Sequence, residues 1–141
     1  MISALTARRV SVDTNVFIYL LEGVEGLEEV SQTFRRIIVE RAFEAFTSEF
    51  TLCEVLVHPL RRAADEEVAA YRSLIEISGA FTTIPVDLPA FVEAARLRAT
   101  LGLRTPDAIH VACALHSGCD VILSNDQRLQ LHSHLIRVEF R

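Results

Sequence analysis

The chain of 141 residues contains no lysine: all fourteen of its basic residues are arginine, set against nineteen acidic residues for a net charge of −5. That balance excludes binding to nucleic acid by bulk positive charge. Contact with a polyanion would have to come from local arginines or from bound cations. Arginine suits bidentate phosphate contacts, but the total absence of lysine reads first as a compositional habit. Cysteine is scarce as well. Cys53, Cys113 and Cys119 are odd in number and show no CxxC spacing, which argues against a disulfide framework or a zinc site and for buried, reduced thiols. No charged n-region and apolar h-region open the chain, and no apolar run reaches membrane-spanning length. A soluble, cytoplasmic protein with no membrane partner is the expectation. GxGxxG, GxxxxGK[ST] and GxSxG are all missing, so nucleotide-binding loops and serine hydrolase chemistry have no support. Nor is there an internal repeat, a low-complexity run or a linker, and residues 1–141 read as a single domain.

Half of the residues are hydrophobic, enough for a full core. Their spacing alternates short strands with helices. Val10–Val12 is a strand, with Thr14 or Asn15 opening a helix that Gly23 and Gly26 break. Leu27–Ala42 has helical spacing and Ala45–Thr47 is a brief strand. A helix from Glu49 to His58 stops at Pro59, and another from Ala64 to Ser78 is closed by Gly79. Phe81–Val86 is a strand, Asp87 caps a helix from Leu88 to Leu101, and Gly102 ends it. Thr105-Pro106-Asp107 opens a helix with a capping hydroxyl, an early proline and an acid in the first turn; it runs to Ser117 before Gly118. Val121–Leu123 is a buried strand, Asp126–Leu131 a short helical segment and Leu135–Phe140 a last strand. This alternation predicts an α/β fold, a central, mostly parallel sheet with helices on both faces.

Four acids stand where strands end or helices begin. Asp13 directly follows the first strand, Glu54 lies in an otherwise apolar helix, Asp107 sits in a first helical turn, and Asp126 follows a buried strand. Each has an ordinary explanation. Asp13 and Asp126 can cap a helix or a turn, Asp107 can complement a helix dipole, and Glu54 can sit on an exposed stripe. Their joint placement is the informative feature, because an open α/β sheet gathers strand ends on one edge. Clustered carboxylates repel one another unless a cation neutralises them, and magnesium and manganese prefer oxygen ligands. The pattern therefore points to a divalent-metal pocket and to phosphoryl-transfer chemistry, with one carboxylate available to orient or deprotonate water. His110 lies one turn after Asp107, within reach of a hydrogen bond to it, and reads as a core or supporting histidine. Glu54 and His58 share a helix face, and His132 and His134 form an HxH pair, but no third ligand accompanies either. Arg8, Arg9, Arg61, Arg62, Arg96, Arg98, Arg104 and Arg128 are candidates for a phosphate-binding rim, with a solvated surface the default for most.

Val12-Asp13-Thr14-Asn15, Ser48 through Glu54-Val55-Leu56, Thr105-Pro106-Asp107-Ala108-Ile109-His110-Val111-Ala112 and Asp120 through Ser124-Asn125-Asp126 together resemble a PIN domain. Size and motif order are most similar to the VapC-type toxins of type II toxin–antitoxin pairs. The resemblance spans essentially the whole chain. It implies a three-layer α/β/α sandwich and a Mg²⁺- or Mn²⁺-dependent endoribonuclease that leaves a 5′-phosphate and a 3′-hydroxyl. Asp13, Glu54, Asp107 and Asp126 would form the acidic tetrad and hold the metal, Asp13 and Asp107 directly. Thr14 and Asn15 would hold the Asp13 loop, and Ser124 would support the site. The resemblance further implies an RNA substrate, an antitoxin that blocks the site, and a homodimer. Three other readings stand beside it. One is a PIN nuclease of RNA maturation or decay without an antitoxin. Another is a non-catalytic module whose acidic pocket grips an arginine-bearing partner. The last, a receiver-like signalling domain, lacks the lysine that would contact its acyl phosphate.

Overall fold

Among the described residues, five short strands, all paired in parallel, form one sheet in the order β3-β2-β1-β4-β5. They are β1 (Arg9–Val12), β2 (Glu44–Ser48), β3 (Phe81–Ile84), β4 (Val121–Leu123) and β5 (Ile136–Val138). Six α-helices among the described residues accompany them: α1 (Thr14–Glu22), α2 (Leu27–Ile38), α3 (Glu49–Arg61), α4 (Asp65–Arg72), α5 (Leu88–Leu101) and α6 (Thr105–His116). The structure is a computed structural model that describes residues 9–22, 27–124, 126, 129 and 136–138, with the backbone alone for 27–30, 33 and 136–138. The expected corner at Gly23 and Gly26, the HxH pair His132/His134, and Arg8, Asn125 and Arg128 lie outside the described residues, as does most of the segment Asp126–Leu131.

Alternation along the strands explains the three layers. Val10, Val12, Ala45, Phe81, Val121 and Leu123 point to one face, where they pack with Val16, Phe17, Phe34, Val55, Tyr71 and Ile75. Phe46, Ile84 and Ile122 point to the other, against Ala90, Ala94 and Leu97 of α5 and Ala108, Ile109 and Ala112 of α6. Helices α1 to α4 thus cover one side of the sheet and α5 and α6 the other, which is the predicted sandwich. Phe17, Phe34 and Phe81 anchor the first layer, with ring centroids 5.0 to 5.9 Å apart in edge and tilted contacts.

Several expected boundaries move. Helix α2 ends at Ile38 because Arg41 adopts a left-handed conformation (φ 51°) and the Ala42 N–H closes back on the Arg36 carbonyl at 3.0 Å. Helix α3 does not stop at Pro59. The helix runs on through the proline to Arg61, giving up the one bond its absent N–H would make, while Arg62 N–H still reaches the His58 carbonyl at 3.3 Å and Ala64 N–H the Pro59 carbonyl at 2.9 Å. The helix expected from Ala64 to Ser78 is α4 followed by a π-helical turn, Ser73–Ile77, in which Ser78 N–H reaches the Ser73 carbonyl. Strand β3 ends at Ile84, before Pro85. Thr105 is already the first residue of α6; the cap position belongs to Arg104, whose side chain makes no capping bond. Asp87 and Gly102 do bound α5 as expected, Asp87 accepting from Ala90 N–H at 3.0 Å and Gly102 in the left-handed region. Cys113 and Cys119 are buried, but Cys53 is exposed on α3. No helix among the described residues is long and apolar enough to cross a membrane.

Candidate active site

Because every strand pair is parallel, the carboxyl ends of β1, β2 and β4 share one edge. Chain connections leave β1 toward β2 on one side and return to β4 on the other, so the end of β1 is the switch point of the sheet. Asp13 occupies that point. Its N–H extends the β1–β4 pairing by donating to the Leu123 carbonyl at 2.9 Å. Its carboxylate is buried and accepts from Thr14 N–H at 2.8 Å and from the Ser124 hydroxyl at 2.7 Å. Burial pushes its pKa above the ordinary 3.8. The charge of His110 and the two hydrogen bonds oppose that shift without cancelling it, and repulsion from Asp107 adds to it.

Ser124, fully buried at the end of β4, also accepts from Asp126 N–H at 3.0 Å. One hydroxyl therefore ties two of the four acids to the same strand end. Glu54 reaches the edge from the second turn of α3, and its Oε1 accepts from the Thr14 hydroxyl at 2.7 Å and lies 2.5 Å from His110 Nε2. Below this pair runs a chain of buried hydroxyls. Thr14 Oγ1 is 3.3 Å from Thr51 Oγ1, which is 2.9 Å from Thr47 Oγ1, itself bonded to the Val12 carbonyl. Burial opposes ionisation of both partners of the Glu54–His110 pair, yet their mutual attraction wins. The carboxyl of Glu54 is held below its ordinary 4.5, with Thr14 and Arg104 assisting, and His110 is held above 6.5 by Glu54, Asp13 and Asp107. Asp107 projects from the first turn of α6 and is met by Arg104 Nε at 3.1 Å; Arg104 Nη2 lies 3.7 Å from Asp126 Oδ2.

Residues 10–134 match the model of the PIN domain family. The chain belongs to the PIN domain family. Solved structures agree on the fold at low identity. A DNA-bound VapBC complex from Salmonella typhimurium has a chain that superposes with a TM-score of 0.73 at 16% identity, covering 95% of this chain and 99% of that one. For VapC20 of Mycobacterium tuberculosis, described as a toxin that cleaves the sarcin–ricin loop, the TM-score is 0.71 at 14% identity, with coverage of 92% and 99%. A toxin–antitoxin complex from Klebsiella pneumoniae gives 0.68 at 21%, covering 92% and 95%. No curated protein matches the sequence.

Within this PIN domain, the expected residues are placed unevenly. Asp13, Thr14, Glu54, Asp107, Ser124 and Asp126 are linked by the contacts above. Asn15 is not: its Oδ1 is buried and has no hydrogen-bond partner among the described residues. His110 stands one turn after Asp107, yet its shortest hydrogen bond goes to Glu54, 56 residues away and on another helix. Among the described rim arginines, Arg104 meets the acids. Arg9 instead packs over Phe46, pairs with Glu44 and donates to the Ser117 carbonyl, far from the edge. Arg62 and Arg96 pair with Glu67 and Glu93, and Arg98 donates to the Leu103 carbonyl. His58 is exposed.

The donors suit a hard divalent cation in kind, being carboxylate oxygens grouped at one sheet edge with Asp13 and Asp107 buried. Among the described residues, no three of His, Cys, Asp or Glu converge closely enough to hold a metal as they stand. Arg104 lies against Asp107 and Asp126, and Glu54 is engaged by His110 of α6.

Proposed function

We infer that this PIN domain is a metal-dependent endoribonuclease and the toxin of a type II toxin–antitoxin pair. The observation that carries the reading is the buried Asp13 at the switch point, joined through Ser124 to Asp126 and repelled by Asp107. A buried carboxylate raised by burial and by a like charge is in the state that a cation would relieve. Asp13 and Asp107 would hold Mg²⁺ or Mn²⁺ directly, with Glu54 and Asp126 completing the site directly or through water. When bound, such an ion neutralises phosphate charge and lowers the pKa of water. The chain's own residues do the rest. Thr14 and His110 orient Glu54, Ser124 orients Asp13 and Asp126, and Glu54 is kept ionised and able to accept a proton from water.

Support for the partner comes from the toxin–antitoxin complexes among the structural neighbours and from an open apolar groove between α1 and α2. The groove, of about 540 Å³, is lined by Leu20, Phe34, Ile38 and Val39. Controlled expression followed by sequencing of RNA ends tests the activity. Discrete new 5′-phosphate ends should appear with the native chain and disappear with Asp107→Asn. Identical end profiles for the two would remove the reading.

A second reading, an acidic pocket that grips an arginine of a partner, is favoured by the guanidinium already lying across Asp107 and Asp126. Titration with Mn²⁺ separates the two, since a binding module has no need of the ion for RNA turnover. A nuclease of RNA maturation would lack an antitoxin gene beside its own.

A further inference from the structure

Arg104 stands where an arginine is unfavourable for the helix it precedes. It is the N-cap residue of α6, a position that prefers short side chains accepting a hydrogen bond, and its side chain makes no cap bond. A positive charge there also opposes the helix dipole. Its location is instead matched to two carboxylates from separate elements. Nε lies 3.1 Å from Asp107 Oδ2 on α6, and Nη2 lies 3.7 Å from Asp126 Oδ2 beyond β4. Those carboxylates are only 12% and 15% exposed, whereas the arginine side chain is 57% exposed and can swing into solvent without breaking the core.

From this geometry we propose that Arg104 is a built-in counter-ion that competes with the divalent cation for Asp107 and Asp126, and that grips a backbone phosphate of the RNA once displaced. The proposal rests on the nuclease reading above. A cation drawn to the carboxylates competes with the guanidinium that lies against Asp107 Oδ2 and Asp126 Oδ2. Displacement leaves a planar fork tethered at the edge of the site, and that fork matches two phosphate oxygens. The rim arginines Arg9, Arg62 and Arg96 are each engaged by a glutamate instead.

The test titrates Mn²⁺ into the metal-free native chain, Arg104→Gln and Asp107→Asn, following free Mn²⁺ by electron paramagnetic resonance. A fluorescent single-stranded RNA is then titrated in Ca²⁺, with anisotropy as the readout. Arg104→Gln should bind Mn²⁺ roughly 3- to 10-fold more tightly, the equivalent of one or two exposed ion pairs. It should bind the RNA more weakly by on the order of tenfold. Equal or weaker Mn²⁺ binding, or unchanged RNA binding, overturns the role of Arg104 while leaving the metal site standing. If the native chain binds no Mn²⁺, or binds it no better than Asp107→Asn, the metal site itself fails, and this proposal with it.

Discussion

Replacing His110 tests how the site is held together. Its ring is buried, contacts Glu54 at 2.5 Å and sits 3.3 Å from the Thr14 hydroxyl. His110→Ala removes a hydrogen bond between charged groups, about 1.5–3 kcal/mol, and leaves a cavity worth about 2 kcal/mol of packing. Glu54 is 29% exposed and keeps Thr14, so its stranded charge adds little. A total near 4 kcal/mol is expected from these two contributions. His110→Gln keeps volume and an N–H donor and should lose about 1–2 kcal/mol. A double-mutant cycle with Glu54→Gln, read by urea unfolding, isolates the pair and should give a coupling of about 1–3 kcal/mol. The pair also sets a pH window. His110 is raised above 6.5, so its contribution is full below that value and is lost as pH rises through the folded pKa. Glu54 is lowered below 4.5, so its contribution is present above that value and is lost as pH falls through the folded pKa. Coupling should peak between those two ordinary values and shrink on the alkaline side. Asp13, being raised, acts in the opposite sense, favouring the fold most at acid pH and progressively less above 3.8. Coupling below about 0.5 kcal/mol near pH 5.5 would refute the charged pair.

Three further outcomes are expected. Ser124→Ala removes the donor to Asp13 and the acceptor for Asp126 N–H, so stability should fall by about 1–3 kcal/mol and Mn²⁺ affinity with it, both measurable on the metal-free protein. Tyr71→Phe removes a buried hydroxyl with no partner among the described residues; denaturant unfolding should show unchanged or higher stability, by up to about 1 kcal/mol. Burial, followed by Glu22 and Glu67, pushes the Tyr71 hydroxyl up to about 12, so the native chain should lose stability above pH 10 and the variant should lose less. Gly102→Ala places a side chain at φ 69° with no atom within 4 Å of the new Cβ, so its cost is purely conformational, about 1 kcal/mol in thermal unfolding.

Much of this arrangement is legible from residue order because it is local. Asp87 and Gly102 mark the ends of α5 through their own backbone needs, and an aspartate directly after an apolar strand must lie on the carboxyl edge of a parallel sheet. Asp107 in a first helical turn is legible in the same way, whereas Ser124 stands out only through the resemblance to the family. What periodicity does not carry is pairing across the fold. His110 shares α6 with Asp107, and spacing alone links those two; only the packing of α3 against the same edge brings Glu54 to the ring. Arg104 looks like seven other rim arginines until the β4 end places Asp126 beside Asp107. Pro59 is a helix breaker by rule, but the bonds from Arg62 and Ala64 N–H to the His58 and Pro59 carbonyls carry α3 on to Arg61. Cys53 was expected to be buried with the other thiols, yet it lies on the solvent side of α3.

Asp13, Glu54, Asp107 and Asp126 are proposed to form one metal-dependent nuclease centre. Its most direct test incubates the purified native chain and Asp107→Asn with end-labelled RNA, in Mn²⁺ and in chelator. The account predicts Mn²⁺-dependent cleavage with 5′-phosphate and 3′-hydroxyl ends by the native chain, and none by a variant that keeps the native thermal unfolding profile. Equal cleavage by a cleanly purified Asp107→Asn, or cleavage by the native chain that persists in chelator, would contradict it.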